Sequence, residues 1–144
     1  MPFGSNAERL RALKGVFGST AVSALGAAGT HYFALLRQST GGTEGTVLGT
    51  EPDSTGNYAR VAVTNADASY TFGAVSLENT AEIRWPMASG LYNITSALNQ
   101  WAIYDNASGG NVIAFGQLSP TITVTGAGDQ PVIAAGALDL TMAA

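Results

Sequence analysis

From Tyr58 onward, apolar residues return at every second position in one short run after another, and glycine, asparagine, aspartate or proline follows most runs. That period puts side chains alternately on the two faces of an extended strand and does not fit one side of a helix. Thr121-Ile122-Thr123-Val124-Thr125 is the cleanest case, with its threonines on the outer face. Ala59, Val61 and Val63 share a face opposite Arg60, while Ile83 and Trp85 share one opposite Glu82 and Arg84, before Pro86 ends the run. Ser69–Leu77 reads as a strand weakened or bulged at Gly73, and residues 89–94 offer a further short candidate. Trp101 and Ile103 alternate with Ala102 and Tyr104, and residues 105–111 supply a turn before Val112-Ile113-Ala114-Phe115 returns. Asn65-Ala66-Asp67 and Gly126–Asp129 read as turns, and Val132–Met142 closes the chain with Leu138, Leu140 and Met142 on one face. His31–Leu36 is apolar on both faces, as a strand buried between layers would be. Short strands and tight turns predict an all-β fold, an antiparallel β-sandwich or partly closed barrel.

The first residues follow another period. Leu10, Leu13 and Phe17 recur at spacings of three and four with Val16 beside them, which predicts a short N-terminal helix over Asn6–Phe17. Ser5 or Asn6 caps its start, Glu8 suits its dipole, and Gly15 and Gly18 limit its length. The expected organisation is an N-terminal arm over 1–18 and a single β domain over 19–144. That domain is interrupted by a polar loop at 38–57, long for a connection inside a compact domain and therefore a candidate contact surface. Only 11% of residues are charged against 46% hydrophobic, a thin charge cover that points to a partner over part of the surface.

Several function classes lack their chemistry. A net charge of −4, with Arg9, Arg11 and Lys14 gathered in the N-terminal arm, gives no basic patch for nucleic acid. Ser, Thr, Gly and His31 break the apolar run of Gly15–Leu36, so neither a membrane span nor a secretory leader is expected there. The only histidine is His31, inside an apolar strand, and cysteine is absent, which leaves no conventional base for a serine nucleophile and no zinc ligand set. Glu78 with Glu82, or Glu51 with Asp53, would be needed for two-carboxylate hydrolysis, yet nothing in the pattern brings either pair together. Asp105, Asn106 and Asn111 carry oxygen ligands without the closing glutamate of a calcium loop and read as a hairpin turn. No catalytic residue, metal or cofactor is expected. Trp85, Trp101 and Tyr104 are candidate aromatic anchors, in a core, at an interface or as stacking platforms for a sugar.

Several segments in order carry a resemblance. They are Tyr32-Phe33-Ala34-Leu35-Leu36, then Gly56-Asn57-Tyr58-Ala59-Arg60-Val61-Ala62-Val63, then Ile83-Arg84-Trp85-Pro86. After these come Trp101-Ala102-Ile103-Tyr104-Asp105, Ala107–Asn111, Ala114-Phe115-Gly116 and Ala134–Thr141. Together they resemble a family of small bacteriophage virion proteins labelled tail fibre proteins, some of which are similar to capsid decoration (cement) proteins. The 38–57 loop departs from the family by lacking its Asp-Pro-Gly turn. The resemblance implies a structural, non-enzymatic virion protein.

Within that family, the chain has no heptads or repeats from which to build a stalk. The expectation is therefore a capsid decoration protein on the capsid exterior, bound to the major capsid protein lattice and to copies of itself. A homotrimer is implied by that role. A tail fibre or other tail component is the alternative, and a carbohydrate-binding module is a third reading. Arg9, Arg11, Lys14, Glu44, Glu51 and Asp53 are the candidate capsid or subunit contacts. No direct contact with nucleic acid or membrane is expected.

Overall fold

The computed structural model describes residues 29–38, 48–64, 69–72, 76–92 and 97–141. The expected helix at Asn6–Phe17, the turn at Asn65–Asp67 and the centre of the long loop lie outside these residues. The described chain is all β, with antiparallel sheets, and falls into two compact units. Among the described residues no sheet closes on itself, so the partly closed barrel gives way to open sheets.

One unit comprises His31–Ala62 and Arg84–Val132. Its main sheet has the order β2-β1-β6-β7, formed by β1 (Thr30–Leu36), β2 (Val61–Thr64), β6 (Leu98–Tyr104) and β7 (Val112–Ile122). β1 is interior, as its two apolar faces require. Phe33, Ala34, Leu35 and Leu36 have no exposed surface. Ala34, Leu36, Ala102 and Tyr104 cluster together, with Tyr32, Val112 and Phe115 packed against them. β6 and β7 form the expected hairpin, with Ala102 opposite Phe115 and Trp101 opposite Gly116. A Cβ at position 116 would stand 2.7 Å from Trp101 Cζ2, so a glycine there leaves room for the indole. Pro120, which has no N–H to donate, falls near the end of β7, where an edge strand tolerates it.

An amide cluster ties one end of this sheet together. Gln100, fully buried, donates to Gln38 Oε1 at 3.0 Å, and Gln117 donates to the same oxygen at 2.9 Å. Gln100 Oε1 accepts from the Gly49 amide at 2.7 Å, and the Arg37 and Thr50 backbones pair. Residues 48–50, within the long polar loop, are therefore held by the chain's own sheet.

The other unit includes Val63–Ile83 and Ile133–Ala144. Here the single strand expected over Ser69–Leu77 is two strands, β3 (Tyr70–Phe72) and β4 (Ser76–Asn79), paired antiparallel with Tyr70 opposite Asn79. β9 (Asp139–Thr141) pairs with β4 on the other side. The long closing strand expected from Val132 is likewise interrupted. β8 (Val132–Ile133), which pairs with β5 (Ile83–Arg84), ends before a turn in which Ala137 donates to Ala134 and Gly136 adopts φ 72°. Buried Asn79 holds that turn. Its side chain donates to the carbonyls of Ala81 (2.7 Å) and Ala134 (2.9 Å) and accepts from the Leu138 amide (2.9 Å).

Candidate functional site

The densest polar construction in the first unit begins in the second half of the loop read as 38–57. Past the Arg37–Thr50 bridge, Asp53 Oδ1 accepts from the Thr55 amide, and a 3₁₀ turn at Thr55–Asn57 reverses the chain. Gly56 (φ 70°) and Asn57 (φ 69°) both take left-handed conformations there. A Cβ on Gly56 would lie 2.6 Å from the Leu91 carbonyl oxygen, so side-chain volume is excluded as well. The reversal brings Tyr58 and Arg60 back beside Glu51.

Arg60 uses all three of its nitrogens. Nε donates to both Glu51 oxygens at 2.9 and 3.1 Å, and Nη2 reaches Glu51 Oε2 at 2.7 Å. Nη1 donates to the carbonyls of Asn106 and Gly109, each at 2.7 Å, in the turn between β6 and β7. The guanidinium also lies over the Tyr104 ring. This planar fork with several simultaneous acceptors is a task for arginine rather than lysine. The Arg60 side chain keeps only 7% of its surface exposed. Its hydrogen bonds to Glu51 push its pKa further above the ordinary arginine value.

Tyr58 completes the network. Its hydroxyl donates to Glu51 Oε1 at 2.8 Å and accepts from the Leu35 amide in the middle of β1 at 3.1 Å. Burial, and then the Glu51 charge, drive its pKa far above the ordinary tyrosine value. The β6–β7 turn is closed independently, because Asp105 accepts from both the amide and the side chain of Asn111. Those bonds lower the Asp105 pKa. The turn also uses left-handed glycines at 109 and 110. Between residues 51–54 and 107–109 an open groove of about 430 Å³ remains, with the Arg60 network as its floor.

This arrangement holds loops; it does not move protons. Both Glu51 oxygens are engaged by Arg60, so Glu51 does not share a proton-transfer role with Asp53, whose own pKa is lowered by its bonds to Thr55. The Asp105 carboxylate closes its own turn. Glu78 and Glu82 are exposed in the other unit. No group of three or more metal-ligating side chains occurs among the described residues, and no described helix is long and apolar enough to cross a membrane. His31 is buried, and that burial lowers its pKa.

The candidate residues separate clearly. Glu51 and Asp53 sit at the groove, Glu51 held internally and Asp53 exposed. Arg9, Arg11, Lys14 and Glu44 lie outside the described residues. Trp85, Trp101 and Tyr104 are all buried, and Arg60 covers the Tyr104 ring, so none presents a face for a sugar to stack on. Arg60 itself escaped notice because the alternation of Tyr58–Val63 put it on a solvent face. The strand in fact starts at Val61, and the three residues before it follow the bend at Asn57, leaving Ala59 exposed and Arg60 turned inward.

A family model described as podophage GP4 fiber I protein gp80 matches residues 5–141. No curated protein matches the chain. The match to a fibre family overturns the capsid decoration reading, and with it the capsid exterior as location and the major capsid protein lattice as partner. The homotrimer inferred from that role loses its basis as well. The lack of heptads and repeats from which to build a stalk does not exclude a fibre, because a fibre can be assembled from several subunits.

Proposed function

The chain belongs to the podophage GP4 fiber I protein gp80 family, and on that premise we propose that it is a non-enzymatic structural subunit of the phage tail fibre. The observation that carries this reading is the family match across nearly the whole chain, from residue 5 to residue 141. The engagement of Arg60, Glu51 and Tyr58 with one another supports a structural role, since a catalytic constellation needs groups left available to substrate. A β-sandwich body belongs to the same reading. The complete burial of consecutive β1 residues, which face opposite sides of their sheet, supports it.

Within this role Asp53 and the neighbouring turn residues 107–109 form the surface that meets other fibre components, because Asp53 is exposed while Glu51 is held inside. Arg9, Arg11, Lys14 and Glu44 are further candidate contacts with such components. Labelling intact virions with an antibody against this chain tests the assignment. Decoration of the fibres is expected, and label confined to the capsid would sink it. Incubation with host surface polysaccharide is expected to release no new reducing ends.

A further inference from the structure

The groove between residues 51–54 and 107–109 selects its occupant by charge. Arg60 commits its guanidinium to Glu51 and to the carbonyls of Asn106 and Gly109, so the one cation of the floor is neutralised from within. Asp53 stands exposed on one wall, and the bond from the Thr55 amide orients its carboxylate. Residues 51–60 and 105–111 together carry Glu51, Asp53 and Asp105 against Arg60. An anion is therefore disfavoured here. Exposed Ala59 and Ala107 offer alkyl surface beside the polar groups. A long cationic side chain suits such a groove, with its stem on the alanines and its head at the Asp53 carboxylate.

The chain itself carries side chains of that kind. Arg9, Arg11 and Lys14 fall close together, and Glu8 is the only acid before Glu44. Residues 15–144 hold nine acidic and three basic residues. Positive charge is thus gathered in the arm over residues 1–18, and negative charge in the rest of the chain. Two copies brought together meet complementary charge only where the arm of one faces the body of the other.

We propose that the groove is the docking site for the basic arm, residues 1–18, of a second copy of the chain. The contact is heterologous: each docked pair keeps one unused arm and one unused groove, so further copies add head to tail. Exposed ion pairs are individually weak and screened by salt, so a single contact is reversible. The proposal rests on the reading of this groove as a fibre contact and names the partner. Antibody labelling reads the place on the virion, whereas association is read on the purified chain, so either can fail separately.

Sedimentation velocity on the full chain is expected to show reversible association below about 1 mM protein, with the dissociation constant rising about tenfold or more as salt is raised to about 0.5 M. One variant neutralises the arm through Arg9→Gln, Arg11→Gln and Lys14→Gln. The other blocks the groove through Asp53→Asn, which keeps an acceptor for the Thr55 amide, and Ser108→Lys, which adds a like charge. Each variant alone, with its fold checked by circular dichroism, should stay monomeric. Mixed, they should form a one-to-one pair that grows no further, because the mixture contains one kind of intact arm and one kind of intact groove. If Ser108→Lys disturbs the turn, Asp53→Asn alone should still raise the dissociation constant about threefold or more. A wild-type chain that stays monomeric, association indifferent to salt or to either variant, or a mixture that does not pair would each overturn the proposal.

Discussion

The guanidinium carbon of Arg60 lies 3.5 Å from the centroid of the Tyr104 ring, so the cation that holds Glu51 also roofs the last residue of β6. Truncating it by Arg60→Ala would leave Glu51 with the Tyr58 hydroxyl but without its cation, and would remove the Arg60 donor from the carbonyls of Asn106 and Gly109. We expect a loss of about 2–4 kcal/mol in urea denaturation. Arg60→Lys should recover only part of that loss, because a point charge cannot bridge these acceptors while lying over the ring. Hydrogen exchange at residues 105–111 should quicken in both variants. Unchanged exchange there would show that the turn does not depend on Arg60.

Tyr58→Phe keeps the ring, which meets Tyr92 edge-on at 5.3 Å, and removes only the hydroxyl between Leu35 and Glu51. A buried strand amide then lacks its acceptor. The expected cost is about 1–3 kcal/mol, read from the denaturation midpoint. A neutral outcome would mean that water or another group replaces the hydroxyl.

In the other unit, Asn79→Leu approximates the shape of the side chain while deleting its bonds to Ala81, Ala134 and Leu138. A loss of roughly 2–3 kcal/mol is expected. The amide of Leu138 should lose protection from exchange. If Leu138 stays protected, the turn at 134–138 is held by its backbone alone.

Stability should fall in acid in two stages. Burial lowers the His31 pKa below its ordinary 6.5, so the unfolded chain binds the extra proton first and stability drops as pH falls from 6.5 toward the folded value. Asp129 accepts bonds from the Thr125 amide and hydroxyl, and Asp105 from Asn111, which lowers both below the ordinary 3.8. Their contribution is complete above that value and is lost as pH falls through their folded values. Denaturation midpoints measured across pH should show His31→Gln flattening the upper stage and Asp129→Asn reducing the lower. Identical profiles for wild type and His31→Gln would remove His31 from this account.

What could be read from the sequence was the local part of the structure. The β6–β7 hairpin follows from alternation and from turn residues a few positions apart, and the interior position of β1 follows from its two apolar faces. The Ser69–Leu77 and Val132–Met142 runs were read as continuous because alternation persists on either side of a break. Alternation alone does not show whether the chain continues straight or reverses. Arg60 meets Asn106 and Gly109 across 46 and 49 residues, and Gln38 meets Gln100 and Gln117 across 62 and 79. Polar partners so distant leave no periodic trace. The functional class is legible through ordered motifs, whereas the place on the particle is not, because the absence of heptads and repeats carries no information about attachment.

The Arg60 clamp has a kinetic consequence for the turn it holds. A glycine-rich surface turn normally samples many shapes, and a binding partner must select one at an entropic cost. With its carbonyls fixed to a guanidinium that is itself fixed to Glu51, the turn at 105–111 is restricted when the domain folds. A surface that touches Ser108 and Gly109 therefore meets a preformed contour, so fewer collisions are wasted on conformations that cannot dock.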